Sequence, residues 1–135
     1  MTPHRLSSPP FSATITIGLQ KEYSDIIIDK SMVLSHLQSY QEKLIKEKNI
    51  HLSASVTECN IVLNGQNEPH LRLGFINYPK FPLAIIVLKN EIENLAKYLM
   101  EVCEQNRLVV EFPDETVMFE FSEKTDPRIL RNEKT

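Results

Sequence analysis

The stretch Cys59 to Pro82, CNIVLNGQNEPHLRLGFINYPKFP, decides how this chain folds. It holds two of the three glycines and three of the eight prolines, and it sets Asn64-Gly65 between two apolar runs. Both residues of that pair tolerate positive φ, so the sequence predicts a tight two-residue turn of type I′. After the turn, Leu71, Leu73 and Phe75 alternate with His70, Arg72 and Gly74, the period of a strand with one buried face. Pairing across the turn sets Val56 opposite Leu73 and Ala54 opposite Phe75. Cys59, Ile61 and Leu63 then point away from the core near the hairpin tip. Either a bulge near Thr57 to Asn60 rotates them inward, or another subunit covers them.

Outward from the hairpin, Ala13 to Leu19 alternate cleanly and read as an uncharged central strand. Val33, Leu34, Leu37, Tyr40, Leu44 and Ile45 recur at helical spacing, with Asp29 or Ser31 as N-cap and Asn49 as a left-handed stop. The segment 83–88, LAIIVL, reads as a short strand or as the opening of a helix. The stripe Ile85, Leu88, Ile92, Leu95, Ala96, Leu99, Val102, Cys103 favours one helix to about Asn106. It starts at Pro82 in the N1 position or, in the rival reading, at Asn90 as N-cap. Two strands around Pro113-Asp114 close the domain. The resulting organisation is a flexible Pro/Ser-rich lead-in (1–12), one α+β domain (13–121) and a charged, disordered tail (122–135). The fold class is a two-layer sandwich of two βαβ-like halves, with both helices on one mixed sheet and a C-terminal hairpin.

The composition of 135 residues, 41% hydrophobic and 24% charged, is that of one ordinary globular domain. A net charge of −3 gives no basic field for nucleic acid, and no run is apolar enough for a signal core or membrane span. The cytoplasm is the default location. Cys59 and Cys103 lack metal or redox spacing and read as reduced thiols. His4, His36, His51 and His70 have no metal-ligand spacing, three glycines cannot build a phosphate loop, and no nucleophile motif occurs. No cofactor is implied. Glu111 and Glu120 read as solvated carboxylates on the last hairpin.

Certain strings resemble the tautomerase superfamily in its macrophage migration inhibitory factor branch. These are Asn64-Gly65, then Glu68-Pro69 before HLRLGFIN, and Asn106 to Asp114, NRLVVEFPD. The resemblance implies that family's scaffold over residues 13–121, with Lys48 and Ile76 at pocket positions. It also implies a general base at an N-terminal proline. Here Met1 is followed by Thr2, Pro3 lies outside the first strand, and Val109 stands where the family has an aromatic. The resemblance therefore argues for the scaffold and against the reaction. The competing arrangement is ferredoxin-like, whose middle strands form a hairpin as Asn64-Gly65 requires.

One cluster stands out as a binding face: His70, Arg72, Asn77, Tyr78 and Lys80, cationic and hydrogen-bonding with an aromatic rim. That chemistry suits a small anion or a nucleotide-like ligand. The plainer reading pairs Arg72 with Glu58 or Glu68. The sequence thus predicts a small cytoplasmic domain that self-associates as a dimer or trimer through Cys59, Ile61 and Leu63. It would bind a partner or an anionic ligand without recognisable catalytic residues. The alternatives are a tautomerase-like enzyme with an altered site and a secretion-type, protein-binding chaperone.

Overall fold

A computed structural model describes residues 1–122; the remainder of the charged tail lies outside the described residues. The elements run β1 (Ser12–Gly18), α1 (Lys30–Lys48), β2 (Ser55–Leu63), β3 (Gln66–Ile76), α2 (Ile85–Val102), β4 (Arg107–Glu111) and β5 (Thr116–Glu120).

The hairpin forms in the register its turn chemistry demands. Asn64 and Gly65 have φ of 39° and 88°, Leu63 faces Gln66, and Val56 faces Leu73. Ser55 to Leu63 pairs with Gln66 to Gly74 residue for residue, so no bulge intervenes and Cys59, Ile61 and Leu63 stay off the core face. Ala54 lies just outside the strand. Asp29 caps α1 by accepting the Ser31 amide at 3.0 Å, and Asn49 ends it at φ 54° with its amide on Ile45. Segment 83–88 resolves as a loop up to Ala84 followed by helix, without a side-chain cap, and Asn90 lies inside α2. A continuous apolar stripe outweighs a local cap here.

The sheet order is β2-β3-β1-β4-β5, and every strand pairing is antiparallel. The expected mixed sheet is therefore corrected. Each helical crossover delivers its strand away from a parallel neighbour: α1 carries the chain two places over to β2, and β3 returns through the tight turn to fill the gap beside β1.

Ile15, Ile17, Leu71, Leu73, Phe75 and Val110 form the sheet's half of the core, and Val33, Leu37, Ile92, Leu95 and Leu99 the helical half. Burying each such side chain contributes about 1.5–3 kcal/mol. The lead-in is partly tied down: Phe11 is buried against Phe112, and Asn77 donates to the Pro9 carbonyl at 3.2 Å. With both helices on one side, the other face of the sheet is left open among the described residues. Residues of even number in β1 and β3, and of odd number in β2 and β4, line it. Among the described residues no helix is long and apolar enough to cross a membrane.

Candidate functional site

The open face leads, at the end of the sheet where β1 and β2 finish and β3 and β4 begin, into a groove. Its floor is the hairpin, through Ile61, Leu63, Gln66, Glu68 and His70; its walls are the loops Gln20 to Tyr23 and Gln105 to Arg107. This cavity measures about 260 Å³. A second, of about 290 Å³, continues along the open face past Thr16, Arg72, Val109 and Glu111. Ile61, His70 and Arg107 border both, so the two form one groove with a waist at these three residues.

The walls are held by a polar lattice between residues far apart in the chain. Gln105, buried, donates through Nε2 to the carbonyls of Gln20 at 2.6 Å and Cys103 at 2.9 Å. The Glu22 amide donates to the Glu104 carbonyl at 3.0 Å, and Lys21 pairs with Glu104 at 3.2 Å. Tyr23 adopts φ 47°, unusual for an aromatic residue. Its hydroxyl accepts from Asn106 Nδ2 at 2.8 Å and Arg107 Nη1 at 3.3 Å. Arg107 also donates through Nε to Glu120 at 2.7 Å, and that hydrogen bond raises the guanidinium pKa despite some burial. The cation is fixed in charge and in place. The Gln20 side-chain oxygen is buried here without a hydrogen bond.

Glycine at position 18 leaves room beside two groove side chains. A Cβ there would lie 2.5 Å from Gln105 Oε1 and 3.4 Å from His70 Nε2, so the bare backbone lets both side chains approach the groove. Gly74 leaves no comparable room beside Arg72, because its Cβ would meet Ser55 Oγ at 2.7 Å.

The structure disperses the cluster singled out in the sequence. His70 lines the groove, with Nδ1 3.1 Å from the Glu68 carbonyl. Arg72 lies further along the same face, paired with Glu111 at 3.7 Å instead of Glu58 or Glu68. Asn77 is buried at the far end of β3, where its amide holds the Leu83 backbone through Nδ2 and Oδ1. Tyr78 stacks with Phe81 beside an exposed Lys80, also away from the groove. Ile76 is exposed on the open face at that same far end. Lys48 sits in the helical layer, 2.9 Å from the buried Glu91. Ile61 and Leu63 are 42% and 52% exposed and form the apolar part of the groove's floor, with half-buried Cys59 on the same strand face.

Gln20, Tyr23 and Gln105 take no part in the sequence reading, Asn106 and Arg107 enter it only as parts of a short string, and Glu68 enters it only as part of such a string and as a candidate partner of Arg72. The available signal was a pair of adjacent amides, Gln105-Asn106, wedged between a helix end and an apolar strand. Among the described residues no group of three His, Cys, Asp or Glu side chains could hold a metal ion.

Neither the protein-family models nor the curated proteins give a match to this chain. Solved structures do. A phage SAM lyase in complex with S-methyl-5′-thioadenosine superposes with a TM-score of 0.69 at 19% identity, covering 93% of this chain and 100% of that one. This chain shares its fold with that lyase. A phage SAM lyase in the apo state gives the same TM-score at 18% identity, over 93% of this chain and 99% of the other.

These matches overturn the tautomerase resemblance. The strings that carried it encode a turn and two strands, which many α+β chains need, and they do not specify how the strands are ordered. The expectation of a binding domain without catalysis is corrected too, because the solved proteins with this fold are named as enzymes. The altered-tautomerase and chaperone readings fall with it.

Proposed function

We propose that the groove binds S-adenosylmethionine (SAM) and cleaves it to S-methyl-5′-thioadenosine without water. The observation that carries this is the end-to-end likeness to a SAM lyase, 93% of one chain on 100% of the other. A groove of matching chemistry on the open face supports it.

The substrate explains why no catalytic motif is legible. Its sulfonium is already a leaving group, and its own carboxylate can act as nucleophile. Attack of a carboxylate oxygen on the γ-carbon forms a C–O bond and breaks the C–S bond, and the electron pair goes to sulfur. The products are a neutral thioether and a five-membered lactone, with no proton, water or oxidant consumed. The protein's task is to hold a bent conformer and supply the right field.

Arg107 and Lys21 suit the carboxylate. The Glu68 carboxylate and the Tyr23 ring suit the cationic sulfonium and ammonium. A ligand N–H could satisfy the orphan oxygen of Gln20. Two opposite charges vanish along this path, so exclusion of water by Ile61 and Leu63 favours it. Each cavity alone is smaller than the roughly 300–1,000 Å³ typical of ligand sites, whereas the joined groove falls within that range. A second copy seated on Ile61 and Leu63 would roof it, and self-association is part of this proposal. The strand order β2-β3-β1-β4 with β5 as an added edge supports the ferredoxin-like description of the scaffold. Two free thiols fit a reducing cytoplasm.

Two substitutions test the assignment. Glu68→Gln and Arg107→Leu should each lower kcat/KM for SAM at least tenfold, with Arg107→Leu acting mainly through KM. Unchanged kcat/KM in both variants, each shown to be folded, would place the chemistry elsewhere.

A further inference from the structure

We infer that His70 is a fixed hydrogen-bond acceptor that reads a ribose hydroxyl at the waist of the groove; this rests on the SAM reading above. A backbone carbonyl can only accept, so the 3.1 Å contact between His70 Nδ1 and the Glu68 carbonyl puts the proton of the neutral ring on Nδ1. Nε2 is thereby left as the acceptor.

Three features aim that acceptor at the groove. His70 faces Gly18 across the β1–β3 ladder, and the missing side chain keeps Nε2 uncovered on that side. The even parity of β3 turns the ring to the open face, away from the helices. His70 borders both cavities, so a ligand running through the groove passes it at mid-length. In SAM the mid-length group is the ribose, between the adenine and the sulfonium chain, and its hydroxyls are the donors there. Arg72, two positions on along β3, could not take this role: it can only donate, and it lies beyond the waist. His70 is thus a binding residue for the sugar and is not asked to move a proton in the reaction.

The histidine surrogates separate its two nitrogens. Asparagine reproduces the Nδ1 donor to the Glu68 carbonyl but leaves nothing at Nε2. Glutamine reaches the Nε2 position and can accept there. The measurement is calorimetric binding of S-methyl-5′-thioadenosine and of its 2′,3′-dideoxy analogue to the intact protein, alongside each variant's melting midpoint.

Wild type should prefer the hydroxylated ligand by about tenfold, the scale of one buried hydrogen bond left unmade. His70→Asn should bind the parent about tenfold more weakly and lose the preference between the two ligands. His70→Gln should restore most of it. If His70→Asn keeps the full preference while folded, another group reads the sugar and the inference is overturned. Should either variant fail to fold, His70→Ala, read only for the ratio of the two affinities, decides in the same way. Wild type that binds neither nucleoside instead overturns the SAM reading itself, and the role of His70 with it.

Discussion

Tyr23 keeps its backbone at φ 47°, a conformation that costs a non-glycine residue on the order of 1 kcal/mol or more. What offsets it is the hydroxyl, which accepts from Asn106 and Arg107. Tyr23→Phe should therefore lower stability by about 1 kcal/mol and weaken SAM turnover, because the guanidinium loses one of its anchors. Tyr23→Gly relieves the backbone, so it should cost less in stability than Tyr23→Ala while abolishing turnover to the same degree. Urea unfolding of the three variants checks the order, and equal stabilities for the glycine and alanine forms would contradict the strain argument. Cys103 reports burial in another way. It is the buried residue that ends α2, and desolvation pushes its thiol up from 9.0 to about 11. Between those values the native state keeps a proton that the unfolded chain gives up, so stability is full below pH 9 and falls as pH rises towards 11. From pH 8 to 10.5 wild type should lose about 2 kcal/mol more than Cys103→Ala. Identical losses would show the thiol to be better solvated than its position implies.

The β2–β3 hairpin is the element that joins fold to site. Its turn fixes the register, and the register puts Ile61, Leu63, Glu68 and His70 on the groove side together. Gly65 holds φ 88°, where a residue with a Cβ is strained. Gly65→Ala should destabilise the protein by about 1 kcal/mol or more and reduce turnover out of proportion to the folded fraction, measured by thermal unfolding and product formation on one sample. Hairpin, caps and alternation were all legible in the sequence because each is decided by neighbouring residues: Asn64-Gly65 for the turn, Asp29 and Asn49 for α1, and the odd positions of β1 for the core face. The groove was not legible. Gln105 meets Gln20 across 85 positions of sequence, and the two loops that carry them have no periodicity to betray a shared wall. His70 and Arg72 could be placed on one face by strand parity, but parity cannot tell which end of a strand opens into a cavity. For that reason the sequence cluster joins Asn77, Tyr78 and Lys80 to residues that the fold holds at the opposite end of β3.

Over the described residues the protein is a two-layer sandwich with one layer's outer face uncovered, and exposed Ile61, Leu63, Ile76 and Met118 interrupt that face with apolar surface. Exposed aliphatics at the mouth of a groove favour contact with a second copy. Ile61→Glu with Leu63→Glu should convert a dimer or trimer to a folded monomer in sedimentation and suppress turnover; a wild type that is monomeric at tens of micromolar would refute that. The proposed cleavage is reached most directly by incubating purified wild type with SAM in ¹⁸O-labelled water and separating and weighing the products as they form. The expected products are S-methyl-5′-thioadenosine and an equimolar amino-lactone that carries no label at the moment of release. SAM recovered intact, or a first-formed homoserine bearing ¹⁸O, would contradict that cleavage.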